Sequence, residues 1–152
     1  FLFPVSNVDA GELRAQSGLP SSLRSCLEMM NYVIPEGFLK GFIDLVFEFE
    51  GRYYLADWKS NRLGISHEDY SPENLSVAMN KDGYFLQYYI YLSALHLYLS
   101  RRLKDYDYDT HFGGVLYIFL RGIHPKKDTG IFRDRPDREW VDRFTRLLGG
   151  KL

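Results

Sequence analysis

The amino-acid sequence predicts an α/β fold, a mixed central sheet flanked by helices. Three stretches carry that expectation. Gly41–Lys59 alternates apolar and polar residues with period two and is rich in β-branched and aromatic types, so it reads as two strands joined at Glu50-Gly51. Tyr84–Leu103 is long and carries apolar residues at three- to four-residue spacing, as a helix buried on one face would. Val115–Leu120 is too short for a helix and rich in β-formers, so it reads as a buried strand beside the hairpin.

In chain order, Phe1–Val5 predicts a strand, with Pro4 placing it at a sheet edge or end. Asp9–Gln16 predicts a short helix ended by Gly18, and Ser21 or Ser22 caps a second one running to about Met30. After the hairpin, Ser60–His67 is a loop. Ser71-Pro72-Glu73 then opens a helix with Ser as cap, Pro at its first position and an acid in its first turn. Asp82-Gly83 interrupts before Tyr84–Leu103, whose last turn and exit carry Arg101, Arg102 and Lys104, cations suited to a helix C-terminus. Asp105–Asp109 alternates acid and tyrosine as a loop or strand entrance. Gly113-Gly114 leads into the buried strand, and His124–Pro136 reads as a polar, basic, solvated loop. Asp137–Leu148 closes as a helix whose Trp140, Phe144, Leu147 and Leu148 form an apolar stripe for core packing or docking.

The 152 residues, 45% of them apolar, suffice for one domain with its own core. The chain opens on Phe1 within a strand pattern, as a piece of something longer would. Cys26 is the only cysteine, which excludes an internal disulfide framework or a cysteine-ligated cluster and fits a reducing, cytoplasmic setting. There is no apolar run of membrane-spanning length, and no membrane partner is expected. A net charge of −1 gives no general attraction to nucleic acid. That counts against a free-standing DNA binder, and less against a domain to which a larger assembly feeds a strand.

The hairpin suggests chemistry. If Glu50-Gly51 is a two-residue loop, Phe49 faces Arg52, Asp44 faces Asp57 and Phe42 faces Lys59. Like charges directly opposed on neighbouring strands are destabilising unless compensated, and a hard divalent cation held by carboxylate oxygens and water would compensate. Lys59 shares the face of Asp57, where its ammonium can orient a water or offset phosphoryl charge. Metal-assisted phosphodiester hydrolysis suits this arrangement. An acid/base pair for sugar or nucleotide hydrolysis would leave Lys59 unexplained.

Gly41-Phe42-Ile43-Asp44, then Asp57-Trp58-Lys59, then Gln87-Tyr88-Tyr89-Ile90-Tyr91 resembles the D…D-x-K…Q-x-x-x-Y series of the PD-(D/E)XK nuclease superfamily. The wording of Gly37–Leu63, Tyr84–Leu99 and Tyr106–Gly122 is similar to the carboxy-terminal nuclease domain of the RecB family of exodeoxyribonuclease V subunits. The resemblance implies a restriction-endonuclease-like core, with residues 1–152 as one nuclease domain from the end of a longer helicase–nuclease subunit. It implies Asp44 and Asp57 as ligands of magnesium, for which manganese could substitute, Lys59 as the catalytic lysine, and Gln87 and Tyr91 as helix residues supporting the site and the DNA strand. Its implied partners are DNA and the other subunits of a RecBCD-type complex, and its implied activity is exonucleolytic cleavage in double-strand-break repair. Arg121, Lys126 and Lys127 are candidate contacts to the DNA backbone. The family's additional histidine ligand, upstream of the first aspartate, has no counterpart, since the first histidine is His67. Either it lies outside these residues, or Glu12 or Glu28 substitutes, or metal binding is compromised. A nuclease-like module that binds without cutting is the second reading.

Overall fold

The computed structural model describes residues 1–6, 8–28 and 33–149. It is α/β, built on a four-stranded mixed sheet of β5 (Leu45–Phe49), β6 (Arg52–Lys59), β7 (Phe112–Phe119) and β8 (Ile131–Asp134) in that order, consistent with a restriction-endonuclease-like core. Two short antiparallel pairs accompany it: β1 (Leu2–Val5) with β4 (Gly37–Lys40), and β2 (Val8–Asp9) with β3 (Val33–Ile34).

The first strand is expected from Phe1–Val5, and β1 is indeed an edge: Phe1 and Gly41 exchange both backbone bonds, which puts Pro4, opposite Phe38, at a position whose missing N–H faces away from the ladder. Helix α1 (Ala10–Arg14) is capped by the Asp9 side chain, and α2 covers Ser21–Glu28. The expected continuation of α2 to Met30 lies outside the described residues.

The hairpin forms with the expected loop. β5 (Leu45–Phe49) and β6 (Arg52–Lys59) are antiparallel, with Phe49 opposite Arg52. Glu50 and Gly51 both have positive φ, 51° and 75°, the geometry whose twist matches the flanking strands. Glycine adopts it freely, so Gly51 bears the tighter half of the turn.

The ladder stops at Leu45 opposite Ala56, earlier than the expected start at Gly41. Neither the expected Asp44–Asp57 pairing nor the Phe42–Lys59 pairing therefore forms in the ladder, and Phe42 leaves the sheet and is exposed. The physical reason is visible at the next paired position. A continued ladder would have Ile43 accept the Trp58 N–H. The Asp44 side chain takes that bond instead, its Oδ2 lying 3.0 Å from Trp58 N, and frees residues 41–44 to turn away.

Helix α3 (Pro72–Lys81) has Ser71 as its cap and Pro72 at its first turn, as expected, and follows a 3₁₀ turn at His67–Tyr70. Gly83, at φ 72°, separates it from α4 (Tyr84–Arg102). α4 is the central helix: Leu86, Tyr88, Tyr89, Leu92, Leu95 and Leu99 bury around most of its circumference, each contributing about 1.5–3 kcal/mol if fully removed from water. It lies on one face of the sheet, with Tyr88 against Tyr117 and Phe85 against Phe132, and packs against α2, α3 and the last helix, Arg138–Leu147.

A single-turn helix α5 (Tyr108–His111) precedes β7 (Phe112–Phe119), which runs parallel to β6. The expected loop over His124–Pro136 is partly wrong, because Ile131–Asp134 form β8, antiparallel to β7. Two apolar residues among charges give too little alternation to read as a strand. Helix α6 (Arg138–Leu147) closes the chain, with Trp140, Phe144 and Leu148 buried against α4. The stripe is core packing.

Candidate active site

Asp57 and Lys59 are neighbours of the same parity near the end of β6, so both side chains leave the sheet on the side occupied by α4. Both are buried, Asp57 to 3% exposure and Lys59 to 8%. Burying one charge alone would be prohibitive, and the two compensate each other: Lys59 Nζ lies 2.5 Å from Asp57 Oδ1.

The ammonium is held from two further directions. It donates to Gln87 Oε1 at 2.9 Å, and it stands 3.8 Å above the Tyr84 ring and 4.9 Å from that of Tyr117. Gln87 in turn accepts from the Tyr117 hydroxyl at 3.0 Å and donates through Nε2 to the Tyr91 hydroxyl at 3.1 Å. The amide oxygen thus faces two donors and the amide nitrogen faces an acceptor, which fixes its orientation.

Asp44 reaches the same place from the residue just before β5. Its Oδ2 is tied to the backbone of Trp58, between Asp57 and Lys59, and its negative charge is felt by Asp57, Tyr91 and Tyr117. Burial pushes the Asp57 carboxyl above its usual range, Lys59 draws it back down, and Asp44 pushes it up again. Burial likewise raises the phenols of Tyr91 and Tyr117, with the charges of Asp57 and Asp44 adding to it. Asp44, Asp57, Lys59, Gln87 and Tyr91, all singled out from sequence, are therefore brought together.

Neither Asp44 Oδ1 nor Asp57 Oδ2 has a hydrogen-bond donor among the described residues. Two uncommitted carboxylate oxygens, on residues near enough for the Asp44 charge to act on Asp57, are the donor chemistry a hard cation takes. Among the described residues no group of three His, Cys, Asp or Glu is placed to hold a metal ion, so neither Glu12 nor Glu28 completes a triad with the two aspartates. Any remaining ligands would be water, substrate or residues beyond those described.

The three basic candidates are placed differently. Arg121 donates from Nε to Ser60 O at 3.0 Å, which sets an exposed guanidinium one residue past Lys59. Lys127 is committed to an exposed ion pair with Glu68, and Lys126 lies exposed on the same loop.

Tyr84 and Tyr117 escaped the sequence reading. Tyr117 is the one hydroxyl-bearing side chain inside the Val115–Leu120 run, at the same parity as Val115 and Phe119. That lone polar group in an apolar strand was the available signal.

No family model matches the sequence. Individual proteins do. The chain is 46% identical over 124 residues, 80% of its length, to the RecBCD enzyme subunit RecB of Escherichia coli. It is 41% identical over 152 residues, 97% of its length, to that of Buchnera aphidicola from Schizaphis graminum, and 43% identical over 129 residues, 85% of its length, to that of Haemophilus influenzae. These matches span 10–12% of those relatives' own lengths. With identities of this size over most of its residues, the chain belongs to the RecB family, as the counterpart of about a tenth of the full subunit.

Proposed function

We propose that the chain is the carboxy-terminal nuclease domain of a RecB-type helicase–nuclease subunit, hydrolysing DNA phosphodiester bonds exonucleolytically in double-strand-break processing and recombinational repair. The observation that carries this reading is the convergence of Asp44, Asp57 and Lys59 in one buried-edged site, in a chain related to RecB. Other subunits of a RecBCD-type complex would present the strand, since a net charge of −1 supplies no general pull on DNA. No helix among the described residues is long and apolar enough to cross a membrane, and a cytoplasmic setting fits DNA repair.

Asp44 Oδ1 and Asp57 Oδ2 are the oxygens that would hold magnesium, or manganese in its place. Such an ion, when bound, polarises a phosphoryl oxygen and acidifies a water. Lys59 contributes a fixed positive charge to the phosphate as negative charge develops there, and its rigidity matters more than its strength. Gln87 and Asp57 hold its Nζ, while Tyr84 and Tyr117 keep water from it. Tyr91, oriented by Gln87, presents a hydroxyl at the same edge for contact with the strand.

The second reading, a module that binds without cutting, draws on the absence of a third clustered ligand among the described residues. For the same reason the isolated chain is expected to cut weakly or not at all. The separating experiment is magnesium-dependent degradation of end-labelled linear DNA by the full-length subunit in its complex. Asp57→Ala should reduce degradation to background, and undiminished cleavage would refute the nuclease assignment.

A further inference from the structure

The segment leading into Asp44 carries a pattern that the proposed chemistry does not use. From β4 onward, alternate residues Phe38, Lys40 and Phe42 are exposed, while Gly37, Leu39 and Gly41 between them are half-buried. Phe38 is 74% and Phe42 72% exposed, more than any other aromatic side chain among the described residues. The Lys40 ammonium stands 5.3 Å from the centre of the Phe42 ring. Across the ladder, Leu2 opposite Lys40 and Pro4 opposite Phe38 extend the same outward face, and both are exposed.

The inward side of this segment joins the candidate active site. Leu39, Lys40 and Gly41, with Phe1, Gln87 and Tyr91, line a cleft of about 260 Å³. Gly41 is a close approach: a Cβ there would lie 2.5 Å from the Phe1 ring and 3.1 Å from that of Tyr91. Asp44 follows Phe42 by two residues, so at most about 7 Å separates their Cα atoms.

We propose that Phe38, Lys40 and Phe42 form a strip that binds a single, unstacked nucleic-acid strand, the rings stacking on bases and the ammonium meeting a phosphate, and delivers it to Asp44 and Asp57. The delivery rests on the nuclease reading; the binding does not. Aromatic faces interleaved with a cation are what sequence-tolerant single-strand recognition uses. The spacing selects against a duplex. Phe38 and Phe42 are four residues apart, so their rings stand about 13 Å apart along an extended chain, and each can stack only on a base that has left the base stack. Stacking also supplies affinity where charge does not, in a chain whose net charge is −1. A purely apolar protein-docking patch would have no use for a lysine whose ammonium stands over one of its rings.

The test is fluorescence anisotropy of a short labelled oligothymidylate with the purified chain, in chelator so that no cleavage intervenes. Wild type should bind the single strand, and an unlabelled duplex of equal length should compete poorly. Phe38→Leu and Phe42→Leu, with thermal melts matching wild type, should each weaken binding about five- to a hundred-fold, while Phe42→Trp should retain it. Lys40→Gln should reduce the dependence of log affinity on log salt by about 0.7. No oligonucleotide binding by wild type, undiminished binding in both leucine variants, or equal competition by duplex would overturn the proposal. So would leucine variants that keep the strand but lose association with partner subunits, which would make the strip a protein-docking surface. Intact strand binding in a full-length complex that does not cut would count against the nuclease reading alone.

Discussion

Asp57 and Lys59, two positions apart on one strand, form a buried ion pair with Nζ 2.5 Å from Oδ1, and each is the principal reason the other can stay charged inside the protein. Removing one member of such a pair typically costs about 3–5 kcal/mol, whereas replacing both with apolar side chains is often neutral or stabilising. Lys59→Met should therefore destabilise the protein by several kcal/mol near neutral pH. The double variant Asp57→Leu/Lys59→Met should recover most of that loss, since Gln87 Oε1 keeps its bond from Tyr117. Urea denaturation of the four proteins in this cycle measures the coupling, and additive losses would show that the pair is not compensating.

The raised Asp57 carboxyl has a signed consequence. Burial is the largest cause, Lys59 opposes it and Asp44 reinforces it. A carboxyl that holds its proton more tightly in the folded than in the unfolded state adds stability that is whole below the ordinary value of about 4 and is lost as pH rises through the folded value. Relative to wild type, Asp57→Asn should gain stability over that window and then level off. Magnesium should reverse the trend, raising the wild-type melting temperature more as pH increases and leaving the variant unmoved, because the ligand must lose its proton to bind. Melts across pH, with and without magnesium, read both effects.

Gln87 is the hub through which α4 grips the site. Gln87→Leu removes the acceptor for Lys59 and Tyr117 and the donor to Tyr91, and each orphaned buried polar group costs about 1–3 kcal/mol. A loss of that order in denaturant unfolding is expected, together with a fall in turnover larger than the change in KM, since Lys59 is then positioned by Asp57 alone. Unchanged turnover would remove Gln87 from the positioning role.

Among the basic residues, position separates the candidates. Arg121→Ala should weaken DNA binding by the full complex and reduce its salt dependence, because the guanidinium sits one residue beyond Lys59. Lys127→Ala should change little, since its charge is already spent on Glu68 at the surface, where such pairs contribute about 0–1 kcal/mol. Filter binding over a salt series distinguishes them.

The elements around the site were legible where local patterns and tertiary packing agree. The Glu50-Gly51 loop placed Phe49 opposite Arg52, and period-two alternation within β6 puts Asp57 and Lys59 on one face. Ser71-Pro72 announced α3 through its cap, and the long apolar helix announced α4. Register counting failed beyond Leu45, because a side chain, Asp44, replaced a backbone acceptor, and no alternation pattern records that substitution. β8 was missed because its pairing with β7 comes from the partner strand rather than from its own four residues. Tyr84 and Tyr117 were missed because their part in the site is to flank a lysine brought from 25 and 58 positions away, which depends wholly on how α4 lies across the sheet.

The central claim is that Asp44 and Asp57 converge to hold a divalent cation, and manganese titration of the purified chain, followed by the loss of the free ion's paramagnetic resonance signal, tests it most directly. Wild type should remove manganese from solution saturably at one stoichiometric site, with magnesium competing, and Asp44→Asn and Asp57→Asn should each abolish that binding while the proteins remain folded. Wild type and both variants leaving the signal equally untouched, or all three binding alike, would contradict it.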